Sequence, residues 1–176
     1  LGWENGAPGA LPGLAKVLER NGFKETEELG QLILNLMSLR ALKLINAGAR
    51  QRMITLVKNT VEGKNKPEHL KLISREELLR RYIKFYEVIA GRPTYVSLLL
   101  QYPLAAKRLG DVLGSGKWAA EYLNRHPLLL DELWDERLSQ IDDYTPVDFS
   151  FYIERTRARL ADIPEDDQAT RMNLIR

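Results

Sequence analysis

The stretch Ser74-Arg-Glu-Glu-Leu-Leu-Arg-Arg-Tyr-Ile-Lys-Phe-Tyr-Glu-Val-Ile-Ala-Gly91 decides the fold. Its first four residues have the pattern of a capping box, in which the Ser74 hydroxyl accepts from a first-turn amide and Glu77 reaches back to the Ser74 amide. Gly91 stops the helix after Ala90. The apolar residues recur at helical spacing over a broad stripe, and they are Leu78, Leu79, Tyr82, Ile83, Phe85, Tyr86 and Ile89. The sequence therefore predicts a central, largely buried helix.

The residues before this helix also show helical periodicity. Residues 1–13 are rich in Gly and Pro and predict a loop. Pro12 can begin a short helix, since a proline is tolerated in the first turn. Thr26 opens a longer helical stretch through Ile45. The predicted helices cover residues 13–20, 26–45 and 49–61, with Gly22, Gly48 and Gly63 as the breaks after them.

Two weakly similar segments follow the central helix. The first runs from Thr94 to Leu109 and turns at Pro103; the second runs from Trp118 to Leu133 and turns at Pro127. In each, a short helix precedes the proline, and the proline takes the first position of a second helix. Two copies are too few for a solenoid. We expect a pair of helical hairpins.

The segment Gly63-Lys-Asn-Lys-Pro67 is the clearest boundary, because it is polar and holds both a glycine and a proline. Residues 142–146 predict a loop, and residues 148–159 a late helix. No run alternates with a period of two between hairpin turns. The sequence predicts an all-α multi-helix bundle without a sheet, divided into residues 1–63, a linker at 64–73 and a larger part at 74–176.

Composition excludes several classes of protein. The chain has 176 residues, a formal charge of 26 − 24 = +2 and no cysteine. A disulfide framework and a cysteine nucleophile are therefore excluded, and a reducing, cytoplasmic setting is expected. Acidic and basic residues are interspersed, so we expect no nucleic-acid partner. The longest apolar run is far too short for a membrane span. Because the chain begins at Leu1, we expect it to be a fragment.

Gly114-Ser-Gly-Lys117 suggests a phosphate-binding loop. Such a loop needs a glycine five residues before the Gly-Lys pair and a Ser or Thr after the lysine. Those positions hold Asp111 and Trp118, and no strand precedes them. A helix end with a glycine at positive φ, followed by a new helix, fits better.

Other candidate catalytic groups are incomplete. No pair of carboxylates follows Ser115 at the spacing that nucleotidyltransferases use for magnesium, and Glu165-Asp-Asp167 fits the start of a helix. His69 and His126 have no metal-ligand spacing, so a packed or capping role is expected for His126. The basic clusters are interpreted as salt-bridged helix faces, and they are Arg80, Arg81, Arg155, Arg157 and Arg159.

The three tryptophans carry large apolar surfaces. Trp118 and Trp134 flank the second hairpin and are expected in the core. Trp3 lies in the Gly- and Pro-rich leader, where it either docks on the body or is exposed. Because none of the catalytic motifs considered above is complete, no complete catalytic centre is expected in this chain.

Several stretches resemble the glutamine synthetase adenylyltransferase family. Residues 91–103 resemble the family pattern R-x-x-Y-L-x-L-L-x-x-x-P, and residues 113–133 resemble S-x-W-L-A-E-x-L-x-R-H-P-x-L-L-D-E-L. Residues 49–56 are similar to an Arg-rich helix of the family. The likeness is strong over 74–138 and looser at each end, and the segment from Gly63 to Ser74 is longer than the family pattern.

The resemblance implies a parent enzyme with two nucleotidyltransferase halves. One half transfers AMP from ATP to a tyrosine of glutamine synthetase, and the other removes it by phosphorolysis. ATP and magnesium are implied for those halves, with glutamine synthetase and the PII signalling protein as partners. The family's Gly-Ser and Asp-x-Asp motifs are missing here. The resemblance therefore implies a non-catalytic helical connector between the halves, with no catalytic, cofactor or metal residue. The alternative is a free-standing helical adaptor.

What carries over from the family is its signature, and its polar members either cap helix ends or face a catalytic half or regulator. The candidate signature and interface residues are Arg92, Tyr95, Pro103, Trp118, Glu121, Leu123, Arg125, His126, Pro127, Asp131 and Glu132.

Overall fold

The computed structural model describes residues 2–64 and 73–134. All regular structure in those ranges is helical, which confirms the all-α prediction. No helix of this part is both long and apolar enough to cross a membrane. The α-helices are α1 (Leu11–Arg20), α2 (Thr26–Ser38), α3 (Arg40–Leu44), α4 (Ala47–Val61), α5 (Arg75–Ile89), α6 (Pro93–Gln101), α7 (Pro103–Ser115) and α8 (Lys117–Arg125), and the 3-10 helices are η1 (Trp3–Asn5), η2 (Pro8–Ala10) and η3 (Pro127–Trp134).

Helix α5 is the centre of the core, as predicted. The Ser74 hydroxyl accepts a hydrogen bond from the Glu77 amide at 3.1 Å, so one half of the capping box is confirmed. The aromatic side chains of Tyr82, Phe85 and Tyr86 are buried, and burial raises the pKa of Tyr82. Helices α2, α4, α6, α7 and α8 all contact α5. The wide apolar stripe is therefore covered from several sides.

One buried hydrogen bond fixes α4 against α5. The Thr60 hydroxyl donates to the Leu56 carbonyl at 2.9 Å and lies 2.7 Å from the Tyr86 hydroxyl. Because the single hydrogen of Thr60 is already donated, the Tyr86 hydroxyl donates to Thr60. This pair satisfies two hydroxyl groups that would otherwise be costly to bury.

Two predicted boundaries before α5 are wrong. The stretch 26–45 is not one helix, because Leu39 turns out of the helical region with ψ of 137° and separates α2 from α3. The Ser38 hydroxyl bonds the Asn35 carbonyl at this turn. Gly48 does not break a helix but lies inside α4, whose start is capped by the Asn46 side chain accepting from the Ala49 amide at 2.7 Å. Asparagine is a strong N-cap, and it defines this boundary.

The leader forms two short 3-10 helices instead of the predicted loop. Trp3 docks on the body and is only 3% exposed. The Arg50 guanidinium helps to hold this region, because it donates to the carbonyls of Glu4, Met37 and Leu42 at 2.8, 3.1 and 3.2 Å. A single half-buried arginine thus satisfies carbonyls from η1, the end of α2 and α3.

The two proline-centred hairpins are present in different forms. Pro103 begins α7 directly after α6, as predicted. Pro127 follows α8 but begins a 3-10 helix, where a second α-helix was expected. The two hairpins therefore share the position of the proline but not the helix type that follows it.

The described residues on both sides of the predicted linker lie in one compact unit, Leu1–Asp135. Helix α2 contacts α5, and α4 contacts both α5 and α6. The domain boundaries at 1–63, 64–73 and 74–176 stay a prediction. The predicted loop at 142–146, the helix at 148–159 and the residues His69, Arg155, Arg157 and Arg159 lie outside the described residues.

Candidate functional site

Helix α8 carries an aromatic column on its outer side, formed by Trp118, Tyr122 and His126. The ring centroids of Trp118 and Tyr122 are 5.2 Å apart with an interplanar angle of 18°, and those of Tyr122 and His126 are 4.5 Å apart. The spacing of four residues places successive side chains above one another on a helix. Trp118 is 74% exposed and Tyr122 is 44% exposed.

The prediction that Trp118 is a core residue is wrong. The side of α8 that packs inward holds Ala120 and Leu123, each only 3% exposed. Trp118 lies about 160° from Ala120 around the helix, at roughly 100° per residue. Helix α8 therefore has two apolar sides, and the smaller residues form the buried one. The side chain of Trp134, the other tryptophan expected in the core, lies outside the described side chains.

The other signature residues are spread over two regions. Arg92 and Tyr95 form a cation–π contact of 5.8 Å at the start of α6. Glu121 lies 4.0 Å from Lys117 on α8. Of the remaining signature residues, Leu123 lies in the core, Pro127 is half-buried and Pro103 is exposed. The polar residues Arg125, His126 and Asp131 are all exposed. The side chain of Glu132 is not among those described.

The predicted capping role for the polar signature residues stays a prediction. The end of α8 is closed by backbone hydrogen bonds, because the His126 amide donates to the carbonyls of Tyr122 and Leu123. Arg125 lies in the last turn of α8, where a cation interacts favourably with the helix dipole. The structure thus brings Trp118, Arg125 and His126 to one helix.

A groove of about 120 Å³ separates α5 from α8. On its α5 side Arg81 donates to Glu77 at 2.9 Å and to the Leu113 carbonyl, at the end of α7, at 2.7 Å. Arg80 pairs with Glu28 and Glu25, and these hydrogen bonds raise the pKa of Arg80. The interpretation of the Arg80–Arg81 cluster as a salt-bridged face is therefore confirmed. The ion pairs of Arg80 tie α5 to the start of α2, and the hydrogen bond from Arg81 to the Leu113 carbonyl ties α5 to α7.

Three other side chains make this groove unusual. Lys84 and Lys117 line it, both exposed. Asn124 also lines it, and the Oδ1 atom of this residue is buried without a hydrogen-bond partner among the described residues. A buried acceptor without a donor is destabilising. The groove therefore has two exposed cations beside the aromatic column, and a buried unsatisfied acceptor in one of its lining residues.

The Gly114–Lys117 segment lies between two helices, as the helix-end interpretation predicted. Gly114 and Ser115 end α7, and Lys117 begins α8. The expected positive φ is wrong, since Gly116 has φ of 174°, which is extended backbone. No strand precedes the segment in the described ranges. Those ranges also contain no cluster of three His, Cys, Asp or Glu side chains arranged to hold a metal ion.

Sequence reasoning missed Tyr122, the middle ring of the column. The signal was present, because Trp118, Tyr122 and His126 recur at intervals of four residues. Asn124 was also missed. The burial of its Oδ1 atom follows from the approach of α5 to α8, and no local pattern indicates it.

Several known proteins are similar to this chain. It is 30% identical over 163 residues to the bifunctional glutamine synthetase adenylyltransferase/adenylyl-removing enzyme of Thioalkalivibrio sulfidiphilus (strain HL-EbGR7), covering 91% of this chain and 16% of the relative. The enzyme of the same name from Nitrosococcus oceani is 31% identical over 160 residues, again 91% and 16%. That of Aromatoleum aromaticum is 52% identical over 62 residues, covering 35% of this chain and 7% of the relative.

The described residues form an all-helical unit without strands, and the sequence matches one segment of these longer relatives. The chain belongs to the family of bifunctional glutamine synthetase adenylyltransferase/adenylyl-removing enzymes. The match to the Thioalkalivibrio sulfidiphilus and Nitrosococcus oceani relatives takes in most of this chain, but it spans only about a sixth of each relative's length. No protein-family model matches the chain. No solved structure matches it.

Proposed function

We propose that this chain is a non-catalytic helical connector and regulatory segment of an enzyme that adenylylates and deadenylylates glutamine synthetase. The observation that carries the proposal is the position of α5. This helix contacts α2 and α4 on the N-terminal side of residues 64–73 and contacts α7 and α8 on the other side. A central helix that joins both parts makes a rigid element, which suits a connector.

The name of the relatives combines two opposed activities, adenylyl transfer and adenylyl removal. A connector between two such halves regulates them if it holds distinct arrangements of the halves. Effectors then shift the balance only through different affinities for those arrangements. By resemblance, glutamine synthetase and the PII signalling protein are the partners of the parent enzyme, glutamine is an effector, and the setting is cytoplasmic.

The chemistry is assigned to the flanking halves. By resemblance each half carries its own magnesium and ATP site with Gly-Ser and Asp-x-Asp motifs. The proposal assigns no catalytic residue, no metal ligand and no cofactor ligand to the present chain. The parent is a nucleotidyltransferase, and this segment alone is not an enzyme.

A segment exchange tests this proposal. The matching segment of the Thioalkalivibrio sulfidiphilus relative is replaced either by this chain or by a Gly/Ser linker of equal length. We expect the exchange with this chain to keep AMP incorporation into glutamine synthetase and AMP removal, together with their response to glutamine. The linker variant should keep activity in each half and lose the response. Equal behaviour of the two variants would contradict the connector role.

A second candidate function is a helical protein–protein interaction adaptor. The observation that favours it is the exposed aromatic column on α8. An adaptor acts without the nucleotidyltransferase halves, so the isolated chain should then bind its partner as tightly as the full enzyme does. Isothermal titration calorimetry of the isolated chain and of the full enzyme, each with the same partner, separates the two functions.

A further inference from the structure

The first described residues carry one deeply buried side chain, that of Trp3. This residue is 3% exposed, and it lines a small cavity of about 40 Å³ together with Leu14, Ile33 and Val57. Those three residues belong to α1, α2 and α4. We call residues 2–6 the strap, and we call the apolar site that Trp3 fills between the three helices the slot.

Two cations of α4 hold the strap beside the slot. Lys58 donates to the Glu4 carboxylate at 3.2 Å and lies 5.5 Å from the centre of the Trp3 ring. Arg50 donates to the Glu4 carbonyl at 2.8 Å. Both contacts of Glu4 are therefore made by side chains of a single helix.

Parting these contacts costs little. Arg50 also donates to the carbonyls of Met37 and Leu42, at 3.1 and 3.2 Å, and it keeps these bonds when Glu4 moves away. The side chains of Lys58 and Glu4 are 39% and 25% exposed, so water can hydrate both. The cost of opening the strap therefore comes mainly from exposing the Trp3 ring.

Exposing one ring costs much less than unfolding the body. Every α-helix of the described part contributes buried apolar residues to the core, whereas the strap contributes Trp3 alone. Trp3 also borders the cavity, and a side chain beside an empty space lacks packing contacts on that side. Segments with little buried apolar surface open locally at a lower free energy than the whole fold.

The backbone around the strap suits such an opening. The Gly6 amide donates to the Trp3 carbonyl at 2.9 Å, so this turn is closed within the strap itself. Gly6 has φ of 68°, a conformation that glycine adopts without strain. Ala7, Pro8 and Gly9, which connect the strap to α1, are all exposed. The strap can therefore move on an exposed connection without disturbing α1.

We propose that the strap opens as a unit while helices α1 to α8 stay folded, and that opening uncovers the slot. The first residues then have two arrangements on one folded body, and a ligand shifts their balance by binding one arrangement more tightly than the other. The inference goes beyond the connector role and does not depend on it. In the contrary case, Trp3 is an ordinary core residue that leaves the slot only when the body unfolds.

Thiol labelling of the 176-residue chain tests the proposal, because the sequence has no cysteine of its own. Val57→Cys puts a thiol in the slot, and Val96→Cys puts one on α6 as the matched control. Both valines are 2% exposed. Without denaturant, we expect a chromogenic disulfide reagent to label the Val57→Cys thiol at least about tenfold faster. Equal labelling rates would overturn the proposal.

Two glycine substitutions sharpen this test. A Cβ atom at Gly6 would lie 2.9 Å from the Ser38 amide nitrogen, whereas one at Gly9 meets no atom within 4 Å. Gly6→Ala therefore disfavours the docked strap, both by this clash and by its positive φ. It should speed labelling of the Val57→Cys thiol by about tenfold and leave the rate at Val96→Cys unchanged. Gly9→Ala should change neither rate.

Circular dichroism checks that each variant folds. Equal acceleration at both thiols by Gly6→Ala would show that the strap and the body open together, and this would overturn the proposal. An unchanged rate at Val57→Cys in the folded Gly6→Ala variant would overturn it as well. The comparison of Val57→Cys with Val96→Cys stands even where Gly6→Ala does not fold.

Discussion

Helices α5 and α8 both carry aromatic side chains four residues apart, yet only one set is buried. The rings of Tyr82 and Tyr86 on α5 are 5.8 Å apart and at most 2% exposed. The rings of Trp118 and Tyr122 on α8 are 5.2 Å apart and largely exposed. Five α-helices contact α5, whereas α8 packs mainly on α5, α7 and η3. Aromatic spacing therefore predicts that side chains stack, and neighbouring elements decide whether they are buried.

The largest expected difference between the two helices is in core stability. Phe85 is fully buried, and Phe85→Ala should lower the free energy of unfolding by about 3–5 kcal/mol because it leaves a cavity. Trp118→Ala on α8 should change it by less than about 0.5 kcal/mol, as exposed substitutions do. Urea denaturation measures both variants. Similar losses would show that Trp118 is covered in the folded chain.

The link between α5 and the end of α7 should have the next largest effect. Arg81→Met removes the hydrogen bond to the Leu113 carbonyl and leaves that carbonyl without its donor. We expect a loss of about 1.5–3 kcal/mol in the free energy of unfolding. Lys84→Met on the same helix is the control, because Lys84 is exposed without an ion pair among the described residues. Thermal denaturation distinguishes them, and an equal shift in Tm would argue against the link.

The N-caps of α5 and α8 should give the next smaller effect on the free energy of unfolding. Ser74 caps α5, whereas Gly116 precedes α8 without a side-chain cap. Ser74→Ala should cost about 1 kcal/mol, and Gly116→Ser should gain a few tenths of a kcal/mol. A Cβ atom at Gly116 meets no atom within 4 Å, so the gain is not offset by a clash. Chemical denaturation of both variants measures this, and a loss at Gly116→Ser would contradict the described turn.

The smallest expected effect is the pH dependence that Glu76, in the first turn of α5, contributes to stability. Hydrogen bonds from its own backbone and from the Lys24 amide lower the pKa of Glu76, although burial opposes this shift. The stabilisation is therefore present above the unfolded pKa of about 4 and is lost as the pH falls through the lowered folded value. The first turn of α8 has no acidic residue.

This pH dependence is measured by comparing the wild-type chain with Glu76→Gln in urea titrations from pH 7 to pH 2. The difference between them should shrink as the pH falls below about 4. A constant difference across this range would show that Glu76 acts through packing alone.

Local signals predicted α5 well, because its cap and its stripe both lie within one stretch. They failed at α4, where Gly48 suggested a break and Asn46 beside it was the true cap. The turn at Leu39 depends on Arg50, which reaches the Met37 carbonyl from another helix. Such a long-range contact leaves no periodic trace in the sequence.

The candidate site could be predicted only in part. The signature placed Arg125 and His126 at a helix junction, and in the structure Arg125 ends α8 and His126 follows it. It could not tell which apolar side of α8 is buried, since both sides have helical spacing. The choice depends on the fit of Ala120 and Leu123 against neighbouring helices, where small residues allow close approach.

The central claim is that α5 joins the helices before and after residues 64–73 into one cooperative body. Native-state hydrogen exchange of the chain and of Phe85→Ala tests it directly, because it reports the opening free energy of each helix. We predict equal opening free energies for the slowest amides of α2 and α7, and an equal reduction of both by Phe85→Ala. A reduction confined to α7 and α8, with α2 unchanged, would show two independent units and contradict the account.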